Sequence, residues 1–185
     1  MPRLSTVAIA AVLVLALGGC APSNGDVSPT DSGTPSIDPA LIPTAPPADA
    51  LVADPSLYLD QFGDYIFRAG DGPVWCSINT LSMFSLCEIN EAAAVYKEIP
   101  TPKTCDYSYG YQVRLWETKP NEGDVADFVC AGGTYADGSN AVVLPANSLL
   151  TVGNFKCFVR ETTVRCDNAD GNYIALGSDA WALGN

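Results

Sequence analysis

Seven cysteines constrain this chain of 185 residues more than any other feature. The first, Cys20, follows directly on an apolar run, and the other six lie between residues 76 and 166. An exported chain with an odd number of cysteines has one left over after its disulfides form. Removing Cys20 leaves six, so we expect Cys20 to have a separate role and the others to form disulfides. These six are Cys76, Cys87, Cys105, Cys130, Cys157 and Cys166.

Residues 1–19 have the features of a bacterial lipoprotein signal peptide. One arginine precedes about fourteen mostly apolar residues, which is shorter than the roughly 20 that a transmembrane helix needs. Leu17-Gly18-Gly19 before Cys20 suits a signal peptidase, and the Cys20 thiol can accept a diacylglycerol. We therefore expect a lipid anchor on Cys20 that holds the protein at the outer face of the cytoplasmic membrane. The alternative is a signal peptide cleaved nearby, with Cys20 as an ordinary disulfide partner.

Residues 20–56 are expected to form a disordered tether. The stretch 21–56 contains eight of the fourteen prolines, five aspartates and neither lysine nor arginine. Such a segment buries too little apolar surface to offset the entropy lost on ordering. Residues 57–185 are long enough for a single core and are predicted to form the folded domain.

Charge and composition exclude several functions. Residues 57–185 carry eight Lys or Arg and sixteen Asp or Glu, which argues against nucleic acid and favours a basic partner or simple solubility. The chain has no histidine, which excludes Ser-His-Asp and Cys-His catalysis and the common zinc sites. We expect no cofactor and no bound metal.

The domain is predicted to be all-β, a small disulfide-stapled antiparallel sandwich or barrel. Its many Val, Tyr, Phe, Thr and Trp residues, separated by Gly, Asp-Gly and Pro, favour strands and turns. A short helix near its start is suggested by Asp54-Pro55, with aspartate at the cap and proline in the first turn, and would extend through Phe62. We predict strands over residues 65–68, 74–78, 83–89, 106–116, 124–130, 142–144 and 148–152, followed by a hairpin over 157–166.

The stretch "CFVRETTVRC" specifies one disulfide through strand register. A two-residue turn centred on Glu161-Thr162 places Cys157 opposite Cys166 in a non-hydrogen-bonded pair, with Cα atoms about 4.5 Å apart. Cys76 and Cys87 have the same symmetry about a looser loop. Cys105 and Cys130 then remain, and they pair by elimination only, since six cysteines allow about fifteen combinations.

Residues 106–116 alternate, with Tyr107, Tyr109 and Tyr111 on one face of a long half-buried strand. We favour the interpretation in which these tyrosines belong to the core. The alternative is that they form a platform on which sugars stack.

The sequence gives only weak evidence for catalytic carboxylates or for a calcium site. Carboxylate pairs able to hydrolyse a glycoside are Glu88 with Glu91, and Asp124 with Asp127, although period two places the second pair on opposite faces. The stretch 167–172, "DNADGN", lacks the ligands of a calcium loop at alternate positions and is better explained by a hairpin turn.

The order of these features resembles a family of actinobacterial exported proteins and lipoproteins of unknown function, over about Tyr65 to Leu183. The segments that carry the resemblance are "VWCSI", "SLCEI", "YKEIPTPKTC", "DFVCAGGT" and the closing "GNFKCFVRETTVRCDNADGNYIALGSDAWAL". The resemblance implies an all-β fold and disulfides between neighbouring cysteines, Cys76–Cys87, Cys105–Cys130 and Cys157–Cys166. This chain lacks the histidine usual near "GNYIAL", and the resemblance implies no activity.

Together these features predict a membrane-anchored envelope lipoprotein whose domain, outside the cytoplasm, binds an envelope protein or glycan without catalysis. The alternatives are a small carboxylate-dependent hydrolase of envelope glycans and a purely structural envelope module.

Overall fold

The computed structural model describes residues 39–44, 46 and 48–185. The predicted signal peptide, Cys20 and the first part of the predicted tether lie outside the described residues. The described part is all-β, and its twelve strands form two six-stranded sheets. It contains no helix long and apolar enough to cross a lipid bilayer.

The first sheet has the strand order β1-β8-β9-β10-β11-β12. Only the pairing of β1 with β8 is parallel, and the rest of the sheet is a meander of antiparallel hairpins. Its strands are β1 (Leu51–Val52), β8 (Ser148–Val152), β9 (Phe155–Arg160), β10 (Thr163–Asp167), β11 (Tyr173–Leu176) and β12 (Trp181–Gly184).

The second sheet has the strand order β6-β5-β4-β3-β2-β7. Strand β7 pairs with β2 in parallel, and the other neighbours are antiparallel. Its strands are β2 (Tyr65–Ala69), β3 (Val74–Asn79), β4 (Phe84–Ile89), β5 (Gln112–Trp116), β6 (Ala126–Phe128) and β7 (Val142–Leu144). The edge strands β6 and β7 have three residues each, which limits the backbone offered to another sheet.

Two hairpin disulfides lie at the centre of the sandwich, one from each sheet. Cys157 lies opposite Cys166 and Cys76 lies opposite Cys87, with Cα separations of 4.0 and 4.1 Å. All four residues are fully buried, and the sulfur atoms of Cys76, Cys87 and Cys166 lie within 4.8 Å of one another. The predicted register of the 157–166 hairpin is therefore confirmed. Since these sulfurs are held in disulfides, they are not available as metal ligands.

The folded unit begins earlier than the predicted boundary at residue 57. Leu51 and Val52 pair with β8, and Ile42 packs against Ala175 and Ala180 on the outer face of the first sheet. The Arg165 guanidinium also donates a 3.1 Å hydrogen bond to the Pro43 carbonyl. Part of the predicted disordered tether is thus ordered, because Ile42 packs on the face of the first sheet and Leu51 and Val52 add an edge strand to it.

Two local predictions are corrected. The helix predicted through Phe62 is a single 3₁₀ turn over Pro55–Leu57, although Asp54 does cap it by accepting from the Ser56 amide at 3.0 Å. The chain turns away because Asp60 accepts from the Phe62 and Asp64 amides and Gly63 adopts a φ of +94°.

The long strand predicted over 106–116 is shorter, since only β5 (Gln112–Trp116) is a strand. Gly110 interrupts the alternation with a φ of +95° and packs closely against Ile99, where a Cβ atom would lie 3.2 Å from the isoleucine side chain. Strand 124–130 is likewise reduced to β6. The sequence "DNADGN" forms the β10–β11 turn, in which Asn168 Oδ1 accepts from the amides of Asp170 and Asn172.

Candidate functional site

One row of side chains crosses the outer face of the second sheet. Arg68 on β2 lies opposite Trp75 on β3, Trp75 lies opposite Glu88 on β4, and Glu88 lies opposite Gln112 on β5. Because neighbouring residues in a strand face opposite sides and Cys76 and Cys87 point into the core, this row points away from it. The row therefore places an arginine, an indole, a carboxylate and an amide side by side.

A loop over residues 130–141, which we call the covering loop, lies across this row. The Trp75 indole Nε1 donates a 3.1 Å hydrogen bond to the Ala136 carbonyl, and the Tyr135 ring packs edge-on against Phe84 with centroids 5.3 Å apart. Gly138 lies so close to the Trp75 ring that an added Cβ atom would be 2.4 Å from it. The loop explains why Trp75, on the outer face of β3, is buried like the core-facing residues of that strand.

Glu88 holds the covering loop on the sheet. Its side chain, only 2% exposed, accepts hydrogen bonds from the amides of Tyr135 at 3.1 Å and Ala136 at 3.2 Å. Gln112 Nε2 donates to Glu88 Oε2 and to the Gly133 carbonyl, both at 2.7 Å. The Thr134 hydroxyl also lies 3.1 Å from Glu88 Oε2. Three consecutive loop residues thus converge on one carboxylate.

Burial raises the pKa of Glu88, and the hydrogen bonds from Tyr135, Ala136 and Thr134 act in the opposite direction. A carboxylate has about four lone-pair sites, and these three donors together with Gln112 Nε2 occupy them. The raised pKa is a feature of catalytic acids. The buried position and the filled lone pairs, by contrast, are features of a carboxylate that organises a loop.

The third disulfide joins the covering loop to the segment before β5. Cys105 and Cys130 have Cα atoms 5.5 Å apart, and neither lies within a strand. Next to this disulfide, the Ala131 amide donates a 2.9 Å hydrogen bond to the Ser108 carbonyl. The pairing inferred by elimination is therefore present, and it fixes two loops side by side.

Between these two loops lies an open cleft of about 500 Å³, which we call the Trp75 cleft. Its lining combines aromatic rings with carboxylates, amides and hydroxyls. The residues that line it are Trp75, Glu88, Ile89, Asn90, Glu91, Asp106, Tyr107, Ser108, Tyr111, Gln112, Ala131, Gly132, Gly133 and Thr134.

Tyr107 is the most exposed aromatic residue of the cleft. The residue is 65% exposed and its ring lies against Gly132 of the covering loop, so the prediction that all three tyrosines of this stretch belong to the core is wrong for Tyr107. Tyr111 is partly buried, and the nearby carboxylates of Glu91 and Glu98 add to burial in raising the pKa of its hydroxyl. The ring of Tyr107 is therefore available to a ligand.

The structure separates the two carboxylate pairs considered from the sequence. Glu88 and Glu91 both line the Trp75 cleft, the first buried at its floor and the second exposed at its rim. Asp127 instead pairs with Arg114 at 2.7 Å, and Arg114 stacks on Trp116 with 4.5 Å to the ring centroid. Burial raises the pKa of Asp127, and Arg114 opposes this shift. Asp124 lies outside β6 and is exposed.

Sequence reasoning missed the role of Glu88 and the cover that the loop provides. The available signal was the "CAGGTYADG" stretch, since paired glycines after a cysteine permit a chain to run close over a sheet face. In comparisons with known proteins, the chain matches no protein-family model, no curated protein and no solved structure.

Proposed function

We propose that this protein is a cell-envelope lipoprotein, anchored through Cys20, whose β-sandwich binds a glycan in the Trp75 cleft without cleaving it. The observation that carries the proposal is the composition of the cleft, which offers an exposed tyrosine ring beside hydrogen-bonding side chains from three separate segments. The proposal of a lipid anchor is supported only by the sequence of the signal peptide and by the odd cysteine that remains when the other six form disulfides.

A saccharide fits this composition better than an apolar small molecule does. Sites for drug-like ligands are enclosed and mainly apolar with few polar groups, whereas this cleft is open and carries carboxylates, amides and hydroxyls on several sides. Sugar rings present apolar C–H faces that suit an aromatic ring such as Tyr107, and hydroxyls that pair with Asn90, Glu91 and Asp106. Asn90, Glu91 and Asp106 are all exposed, so their polar atoms are accessible from solvent.

Binding is favoured over hydrolysis because of how Glu88 is used. A glycosidase needs one carboxyl group that reaches the leaving oxygen and a second one nearby. Glu88 is buried beneath the covering loop and accepts hydrogen bonds on both oxygens. Hydrolysis remains the second candidate because Glu88 has a raised pKa and shares the cleft with Glu91.

The anchor is tested by metabolic labelling with a fatty-acid analogue in cells that make the protein. The wild type should be labelled and should fractionate with membranes, and Cys20→Ser should do neither. Equal labelling of both proteins would refute the lipid anchor while leaving the cleft proposal intact.

Glycan binding is tested by co-sedimentation of the detergent-extracted protein with insoluble polysaccharide prepared from the cell wall. We expect the wild type to sediment and Tyr107→Ala to bind at least about tenfold more weakly. Phe62→Ala is the matched control, since Phe62 is 79% exposed and does not line the cleft. Release of soluble sugars would support the hydrolase, and equal sedimentation of all three proteins would refute the cleft as the binding site.

A further inference from the structure

Arg68 differs from the other arginines in the described part of the chain. Arg114 and Arg165 each form an ion pair with a nearby aspartate and stack on an aromatic ring, and Arg160 donates to the Ala40 carbonyl. Arg68 is in neither of the two ion pairs found among described residues, and its Nε is buried without a hydrogen-bond partner. A buried donor without a partner is costly, so such a group calls for an explanation.

Arg68 lies at a second hollow that continues the Trp75 cleft. This hollow, which we call the Arg68 hollow, has a volume of about 420 Å³ and shares Trp75, Asn90 and Thr134 with the cleft. Arg68 is the cross-strand neighbour of Trp75. A ligand seated against the cleft side of Trp75 can therefore extend a charged group toward Arg68.

Asp137 lines the Arg68 hollow, and its carboxylate accepts hydrogen bonds from the turn that follows it. Asp137 accepts from the Ser139 amide at 2.9 Å, from the Ser139 hydroxyl at 2.6 Å and from Asn140 Nδ2 at 3.1 Å. These hydrogen bonds hold the pKa of Asp137 below its ordinary value, so it is a stable capping carboxylate of the Gly138–Asn140 turn. Among the described residues, Asp137 forms no ion pair with Arg68.

We propose that Arg68 binds the acidic group of the glycan held in the Trp75 cleft, so that the ligand is an anionic saccharide. This inference rests on the proposed function. The guanidinium is a planar fork that matches the oxygens of a carboxylate or a phosphate and pairs with either through two hydrogen bonds. Because Arg68 forms no ion pair with any described residue, in a chain with a formal net charge of −12, its guanidinium is suited to binding an external anion.

The test uses three preparations of the same cell-wall polysaccharide and the full-length protein in detergent. One is untreated, one has its carboxyl groups reduced to alcohols with carbodiimide and borohydride, and one has its phosphates removed with hydrofluoric acid. The wild type should bind the untreated material and lose at least about tenfold in affinity on one treated material, which identifies the anion as carboxylate or phosphate.

The variants assign this loss to Arg68. Arg68→Gln should bind untreated polysaccharide as weakly as the wild type binds the anion-depleted one, and should no longer distinguish the two. Arg160→Gln removes the same charge from the first sheet and should behave as the wild type does. If circular dichroism shows that Arg68→Gln does not fold, Arg68→Lys is used, which keeps the charge but lacks the fork and should show a smaller preference.

The two proposals fail in different ways. Equal binding of wild type to all three preparations, or an undiminished anion preference in Arg68→Gln or in Arg68→Lys, would refute the role of Arg68 and leave glycan binding intact. Absence of wild-type binding to every preparation would refute both.

Discussion

The Glu88→Gln substitution gives the sharpest test of how the site is built. In the wild type, Gln112 Nε2 donates to Glu88 Oε2 at 2.7 Å. A glutamine at position 88 can keep its oxygen toward the Tyr135 and Ala136 amides, but its NH₂ group then faces Gln112 Nε2, so two donors oppose each other and this hydrogen bond is lost. Losing a hydrogen bond to a charged group costs about 1.5–3 kcal/mol. Removing a buried charge returns part of this cost. We expect a net loss of about 2 kcal/mol in the free energy of unfolding at neutral pH, which is roughly 6 °C in Tm for a domain of this size.

The assay is denaturant unfolding followed by tryptophan fluorescence, together with hydrogen exchange of the Tyr135 and Ala136 amides. In Glu88→Gln these two amides should exchange faster than the change in global stability accounts for, because the loop opens locally. Glu91→Gln at the exposed rim is the matched control and should lie within about 0.5 kcal/mol of the wild type. Unchanged stability and unchanged exchange in Glu88→Gln would refute the role assigned to this carboxylate.

The pH dependence follows from the same group. Because burial raises the pKa of Glu88, the folded protein retains a proton just above the ordinary glutamate pKa of about 4.3, where the unfolded chain has already lost it. The folded state is therefore favoured at low pH, and this contribution is lost as pH rises through the folded pKa. The difference in unfolding free energy between wild type and Glu88→Gln should therefore decrease as pH rises from the ordinary glutamate pKa through the raised pKa of Glu88 in the folded protein. A difference that grows with pH would contradict the direction of the shift.

Three further substitutions probe the surrounding structure. Gly138→Ala should destabilise the domain by about 1–3 kcal/mol, because its Cβ would lie 2.4 Å from an indole ring, whereas Gly133→Ala meets no atom within 4 Å and should be nearly neutral in thermal unfolding. Replacing both Cys105 and Cys130 by serine opens a loop of 25 residues and should lower the free energy of unfolding, measured with denaturant, by about 3.5 kcal/mol. The same double variant should also lose binding to the cell-wall polysaccharide. Retained binding would show that this disulfide does not organise the cleft. Ile42→Ser should release the N-terminal segment and speed its cleavage in limited proteolysis, and an unchanged cleavage rate would contradict its docking.

The parts of the fold that could be predicted are those set by local pairing. The register of the 157–166 hairpin follows from period two and a short turn, so the position of Cys157 opposite Cys166 could be derived from ten residues. The Cys105–Cys130 bond could be reached only by elimination, since both cysteines lie in loops whose paths depend on the whole sandwich.

The candidate site was harder to predict because loop packing produces it. Period two puts Tyr107 on the same face as the core residues Val113 and Leu115, but the positive φ of Gly110 breaks the strand between them. The alternation of β4 correctly predicts that Glu88 faces away from the core, but the sequence around Glu88 does not indicate that residues 134–136 cover it. Docking of Ile42 was missed for the same reason, since its partners Ala175 and Ala180 lie more than a hundred residues away.

Binding of a glycan in the cleft between the two disulfide-joined loops can be measured by hydrogen exchange with and without soluble fragments of the cell-wall polysaccharide. Bound fragments should slow exchange in residues 106–108 and 131–134, and should leave the β10–β11 turn on the other sheet unchanged. Protection confined to the first sheet, or no protection at fragment concentrations that saturate co-sedimentation, would show that the glycan does not bind in the Trp75 cleft.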